Sequence, residues 1–167
     1  MLRGAKSDNR GLPISAPPYP PIRATRLNQP RALCIFDALF RGAEERGFVV
    51  SWPDGRDAKL TIVVEGHAIA VRITERVNVV REHVMTEEEV RQNRLDYWWQ
   101  PPKYDCHPTG KFTLYMQSLE FARVRRRREE KRRRRLENMI AEVLEDLAHL
   151  GRESSRPVDR AAPPPAQ

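Results

Sequence analysis

"KLTIVVEGHAIAVRITER" occupies positions 59–76, and its reading decides the fold. Two apolar runs lie on either side of a short Gly66-His67 connection. In the second run Ile69, Val71 and Ile73 alternate with Ala70, Arg72 and Thr74. A period of two puts the large apolar side chains on one face of a strand, whereas a helix would scatter them around its axis. So short a connection joins antiparallel neighbours. Working outward, "FVVSW" at 48–52 reads as a preceding strand that ends at the turn "PDGR". "KFTLYMQ" at 111–117 alternates as a fourth strand. The first three make a meander, and all four fit one antiparallel sheet.

Helices are expected on both sides of these strands. Asn28 can cap a helix with Pro30 in its first turn, where a missing N–H costs least. Leu33, Phe36, Leu39, Phe40 and Ala43 follow at helical spacing, and Gly47 supplies the stop. Thr86 with Glu89 three residues on forms a capping-box pattern, which predicts a short helix over about 87–95. "DYWWQPPKYDCHPTG" is expected to be irregular, because Pro101, Pro102, Pro108 and Gly110 interrupt it. A last helix carries the stripe Leu136, Met139, Ile140, Val143, Leu144, Leu147 and Leu150, with Gly151 as its stop. The order α-β-β-β-loop-β-α predicts a two-layer α+β domain, a four-stranded antiparallel sheet packed by two main helices. The domain is expected over 28–151. Residues 1–27, with Pro13, Pro17, Pro18, Pro20 and Pro21, read as a disordered proline-rich arm, and 152–167 as a second disordered tail. The "SAPPYPPI" of the arm is either a plain linker or a polyproline ligand.

Charge is spread unevenly. "RVRRRREEKRRRR" at 123–135 holds ten of the 30 basic residues and two of the 23 acidic ones, so the rest of the chain is near neutral. The alkaline pI reports one segment, which argues for a local contact and against a diffuse polyanion-binding surface. Read as the start of the last helix, the segment is about 20 Å long. On the wheel of the apolar stripe, Arg125, Arg126, Glu129, Arg132 and Arg133 continue the buried face. Unpaired burial costs several kcal/mol per ion, so the helix must overhang the core there and leave the run exposed. The outward face then carries Arg127, Arg128, Lys131, Arg134 and Arg135, with Arg123 at the start of the run.

Three readings of the run compete. The plain one is a solvated helix face held by Glu129–Arg133 and Glu130–Arg134 pairs, each contributing a few tenths of a kcal/mol. Against it, two glutamates do not neutralise ten cations, and positive charge sits at the N-terminal half of the helix, where the dipole prefers negative. Glu137, Glu142, Glu145 and Asp146 fall in the other half. Nucleic-acid phosphates would supply the compensation, by bidentate contacts and counterion release. So would a second copy of the helix, antiparallel, giving a homodimer through 123–150.

The remaining candidate sites carry weaker signals. Tyr97, Trp98, Trp99 and Tyr104 beside Lys103 suit base stacking, or else they cover a sheet edge. His67, His83, Cys106 and His107 lack the paired short spacing of zinc ligands, so no metal or other cofactor is expected. A nuclease pattern beginning at Asp54 and Glu65 breaks down because His67 stands where it would continue and no lysine follows nearby. Asp54-Gly55 fits turn chemistry better. The two cysteines, Cys34 and Cys106, are far apart, which fits a reducing compartment. With no signal-peptide pattern and no long apolar run, the expectation is a cytoplasmic protein with no membrane contact.

Three stretches taken in order, "RALCIFDALFRGAEERGF", "PPKYDCHPTGKFTLYM" and "RRLENMIAEVLEDLAHL", give a resemblance over about residues 23–150. Tyr-Asp-x-x-Pro-Thr-Gly at Tyr104 to Gly110 is its most specific element. The chain resembles the C-terminal domain of a family of uncharacterised bacterial proteins of the mobile-element or accessory-genome kind. Longer members carry a helix-turn-helix-like segment towards the N-terminus. The resemblance implies an α+β accessory domain in a DNA-associated setting and no catalytic residues. This chain departs from it by lacking such a segment and by its extended arginine block. The expectation is therefore a non-enzymatic, nucleic-acid-associated accessory protein that uses the arginine-rich helix, with a self-associating or partner-binding module as the alternative.

Overall fold

The structure is a computed structural model, and it describes residues 12, 20–52, 60–80, 83–96, 98, 100 and 104–155. The rest of the proline-rich arm, the "PDGR" turn, Tyr97, Trp99, Lys103 and residues 156–167 lie outside the described residues. The elements are β1 (Ile22–Arg23), α1 (Gln29–Glu45), β2 (Val49–Ser51), β3 (Thr61–Val64), β4 (His67–Val80), α2 (Glu87–Leu95), β5 (Asp105–Ser118), β6 (Arg125–Glu129) and α3 (Ile140–Ser155). A single 3-10 turn, Leu136–Met139, leads into α3.

The α+β class is as expected, but the sheet has six strands where four were predicted. Its order is β2-β3-β4-β5-β6, all antiparallel, with β1 pairing parallel to the middle of β4. The two extra strands are β1 and β6. β1 places Ile22 beside Ile73, so the fold reaches back past Asn28 into the arm. Leu12 is buried as well.

Alternation sorts the sheet into two faces. Ile62, Val64, Ile69, Val71, Ile73, Phe112, Leu114 and Met116 share the inner face and its core cluster with Ala32, Ile35, Phe36, Leu39 and Ala43 of α1. Leu136, Met139, Val143, Leu144, Leu147 and Leu150 complete that cluster. The predicted stripe is thus buried except for Ile140, which is only partly so, and fully burying each such side chain contributes roughly 1.5–3 kcal/mol. Leu33 is the exception on α1 and stands half exposed. α3 also runs four residues past Gly151. A Cβ on Gly151 would lie 2.8 Å from Val64 Cγ1 and 3.1 Å from the Val64 carbonyl oxygen. The glycine therefore marks where α3 crosses β3 closely, and not a stop.

β5 begins at Asp105 and absorbs "DCHPTG", which was expected to be irregular. Pro108 is tolerated because beyond the bulge β5 pairs with β4 alone, leaving one side of the strand where no ladder N–H is needed. The register slips between Glu75↔Phe112 and Val77↔Pro108, and Gly110 absorbs the extra residues at φ +67°. The bulge is pinned from both sides. Thr109 Oγ1 donates to the Arg76 carbonyl at 2.8 Å, and Gly110 N donates to Glu75 Oε1 at 2.9 Å.

Two buried carboxylates tie the chain crossings together. Glu75 also accepts from Asn28 Nδ2 at 2.6 Å and from Thr25 N and Oγ1 at 2.8 and 3.0 Å. Asn28 therefore precedes α1 as expected, but its side chain makes no cap to the helix and holds Glu75 instead. Glu130 accepts from Phe112 N at 2.8 Å, Leu136 N at 2.9 Å and the Arg31 guanidinium. Every lone-pair position of both carboxylates has a donor, so both are structural. Arg31 continues to Glu137 at 2.7 Å and to the Gly110 carbonyl at 2.8 Å.

Candidate nucleic-acid interface

The arginine run is not a helix. Residues 125–129 form β6, an edge strand, and the apolar helix starts only after Arg135. The cause is local. The link after β5 turns at Phe121–Val124, and Ser118 N bonds to the Val124 carbonyl at 2.9 Å, which feeds the chain straight back along β5. The ladder continues to Glu130 N on the Phe112 carbonyl at 3.0 Å. A strand also relieves the charge. A helix would hold arginines three and four apart on one side as like-charge neighbours, whereas a strand sends alternate ones to opposite faces.

That alternation divides the run. Arg126 and Arg128 lean over the inner face, their stems covering its rim while their guanidinium groups reach α3. Arg126 Nη2 meets Glu153 at 2.7 Å and Nη1 meets Asp146 at 3.3 Å. Arg128 Nη2 donates to Asp146 Oδ1 at 3.0 Å, and its Nη1 lies 3.3 Å from Glu142. Arg134 also pairs with Glu142. The hydrogen bond to Asp146 raises the pKa of Arg128, against the opposing effect of burial. Glu145 pairs with Arg46 at 3.5 Å. The carboxylates of α3 are thus neutralised by cations of the same chain.

The other half of the run faces away. Arg125 and Arg127 point to the outer face and are exposed, and Arg127 makes an exposed 3.1 Å pair with Glu129. Lys131 N and Arg134 N each bond to the other's carbonyl, at 3.0 and 3.1 Å, which closes a tight turn with Arg132 and Arg133 at its apex. Arg123, Arg125, Lys131, Arg132, Arg133 and Arg135 are exposed and make no ion pair among the described residues. The wheel is therefore corrected. Arg125, Arg132 and Arg133, on the core side of the wheel, are exposed as an overhang required, but on a strand and a turn and not on a helix. Arg128 and Arg134, which it placed outside, are held by α3. Residues 123–150 are also not one continuous helix, so the antiparallel helix pairing expected there lacks its element.

Tyr104 of the aromatic stretch does not join these cations. Trp98 is 86% exposed and Tyr104 is exposed too, while Tyr97, Trp99 and Lys103 are not described. Tyr104 precedes the far end of β5, about nine residues or roughly 30 Å from the stretch that pairs with β6. Tyr115 does lie beside the arginines, and sequence reading missed it. Its ring carries the Arg72 guanidinium carbon 4.8 Å from the centroid. The alternation of "KFTLYMQ" placed Tyr115 opposite Phe112, Leu114 and Met116, and that was the available signal.

No known protein family, curated protein or solved structure matches this chain.

No cluster of three potential ligands suited to an ion occurs among the described residues. His67 Nδ1 lies 2.8 Å from Glu120, and His83 lies 2.6 Å from Asp105 and 3.2 Å from Glu89. In the register of the sheet, Cys106 faces Val79 and His107 faces Asn78. Asp54 of the nuclease pattern is not described, and Glu65 sits in the turn between β3 and β4. No described helix is long and apolar enough to cross a membrane.

Proposed function

We propose that this chain is a non-enzymatic, nucleic-acid-associated accessory protein of the bacterial cytoplasm, contacting phosphates without base specificity. One observation carries the reading. The strand and turn at 123–135 divide the cations into a set spent on α3 and a set with no ion-pair partner among the described residues. Arg123, Arg125, Lys131, Arg132, Arg133 and Arg135 form the free set, and Arg127 joins it once its exposed pair with Glu129 is given up, since such pairs contribute little. Phosphate suits this set because arginine offers bidentate donors, and counterions released from the nucleic acid favour binding. The self-association alternative rested on α3 carboxylates that a second copy's arginines would reach. Arg126, Arg128 and Arg134 of the same chain occupy Glu142, Asp146 and Glu153 instead.

The test is a titration of labelled DNA at several salt concentrations. If about five phosphates are engaged on duplex, log K falls against log salt with a slope near −4.5. Arg125, Arg132, Arg133 and Arg135 changed together to Gln should weaken binding and make the slope shallower, by about 0.9 for each phosphate left without its cation. Equal affinity of this variant and the parent protein rules the reading out.

A further inference from the structure

On the outer face, the register sets side chains in rows across the strands. Arg72 on β4, Tyr115 on β5 and Arg127 on β6 form one row. Ala70, Gln117 and Arg125 form the next. Strands lie about 4.8 Å apart and same-face neighbours about 7 Å apart, so an aromatic ring, three planar guanidinium groups and an amide share a small patch. Gln117, Arg125 and Arg127 are exposed, and Tyr115 is half-buried. The small side chain of Ala70 keeps the surface low beside the ring. Thr61, Thr74 and Thr113 of the same face are buried, so the accessible part is the β5–β6 end.

We propose that this end of the outer face seats an unpaired stretch of nucleic acid, with one base stacked on Tyr115 and the adjoining phosphates on Arg125 and Arg127. The inference rests on the phosphate-binding reading above and names the form of nucleic acid it takes. A duplex keeps its bases stacked on one another and offers the ring nothing, whereas a single strand presents the π-face of each base. The Arg72 guanidinium carbon lies 4.8 Å from the ring centroid, a cation–π contact that holds the ring. The interval between Arg125 and Arg127 suits successive phosphates of an extended strand. The free cations of the turn, Arg132 and Arg133, continue the track past the end of β6.

Fluorescence anisotropy of the full chain with an oligothymidylate of about twelve nucleotides, and with the same strand paired to its complement, tests this. The single strand should bind about tenfold more tightly than the duplex at equal salt. Tyr115→Leu should lose about tenfold on the single strand and leave the duplex unchanged, while Tyr115→Phe keeps the parent affinity. Photocrosslinking of a bromouracil-substituted oligonucleotide to the unaltered protein reads the same contact without any variant, and the adduct should map to Tyr115. Equal binding of the two forms, or adducts confined to other residues such as Trp98, overturns the stacking proposal while leaving phosphate binding intact. Failure of both forms to bind at low salt removes the phosphate reading and this one together.

Discussion

Arg128 on the edge strand and Asp146 on α3 hold each other through the guanidinium group, with Nη2 donating to Oδ1 at 3.0 Å and Nε to Oδ2. Asp146 is only 4% exposed and takes Arg126 as well. The relationship explains a sequence that otherwise looks misassigned, with cations before a helix and anions inside it. The two halves are not the ends of one helix. They are a strand and a helix folded against each other, and their charges cancel across the rim of the core.

Asp146→Asn therefore leaves two arginines without their shared partner. Breaking a buried pair costs about 3–5 kcal/mol, and the partial exposure of both arginines reduces this to roughly 2 kcal/mol. Urea unfolding should show that loss as a lower midpoint at unchanged slope. Arg132→Gln and Arg133→Gln, at the apex of the turn, should stay within about 0.5 kcal/mol of the parent. If the apex variants destabilise as much as Asp146→Asn, the division of the run into held and free cations is wrong.

Glu130→Gln makes a sharper test of the carboxylate hub. The carboxylate accepts from Phe112 N, Leu136 N and Arg31 at once. An amide has one oxygen for these donors and turns its own N–H groups towards them. About 3 kcal/mol should be lost, in the range for leaving two buried backbone donors unsatisfied and weakening a half-buried ion pair. Arg31→Lys should lose part of this, because a point charge cannot reach Glu130, Glu137 and the Gly110 carbonyl together. The measurement is chemical denaturation, and an unchanged midpoint for Glu130→Gln would contradict the hub.

Much of the fold was legible in the sequence. The alternation of Ile69, Val71 and Ile73, the α3 stripe and the Thr86–Glu89 capping box all follow from local periodicity, and each is present. What could not be read depends on long-range pairing. Arg31 meets Glu130 across 99 positions, and nothing at either place announces the other. "RVRRRREE" has no apolar period of its own. Its strand form comes from the open edge of β5 and its hairpin link, and a helix wheel extended from Leu136 had to misplace it. Gly151 resembled a stop for a similar reason, since the close passage of Val64 lies in another element.

His83 should behave as a charged clasp at the base of α2. Nδ1 lies 2.6 Å from Asp105 and Nε2 3.2 Å from Glu89, which also closes the Thr86 capping box. Both facing groups only accept, so the imidazolium is the form that suits them: Nδ1–H donates to Asp105, while Nε2 faces Glu89 as a charge contact without a hydrogen bond. The hydrogen bond to Asp105 is the main cause of a pKa raised above the usual 6.5, and burial opposes it. A raised folded-state value stabilises fully below pH 6.5 and is lost as pH climbs through the folded value. An NMR titration should find the His83 midpoint above that of a free histidine. Amide exchange within Glu87–Leu95 should quicken over the same interval, and His83→Gln should remove the pH dependence. A midpoint at or below 6.5 would show that the carboxylates do not hold the ring charged.

Gly151→Ala asks whether the crossing of α3 over β3 tolerates a methyl group. Helix propensity alone favours alanine by about 1 kcal/mol. The new Cβ, however, meets Val64 Cγ1 at 2.8 Å and the Val64 carbonyl oxygen at 3.1 Å. The side chain can shift, but the β3 carbonyl belongs to the backbone and cannot move without dragging the strand. Overpacking of this kind costs about 1–3 kcal/mol, so the net change should be a loss of roughly 1 kcal/mol, which thermal unfolding would detect. Val64→Ala in the same background removes the Cγ1 contact and should recover part of that loss, although the smaller side chain leaves a cavity in the core cluster to which Val64 belongs. A gain of stability in Gly151→Ala would mean that α3 stands further from the sheet than this crossing requires.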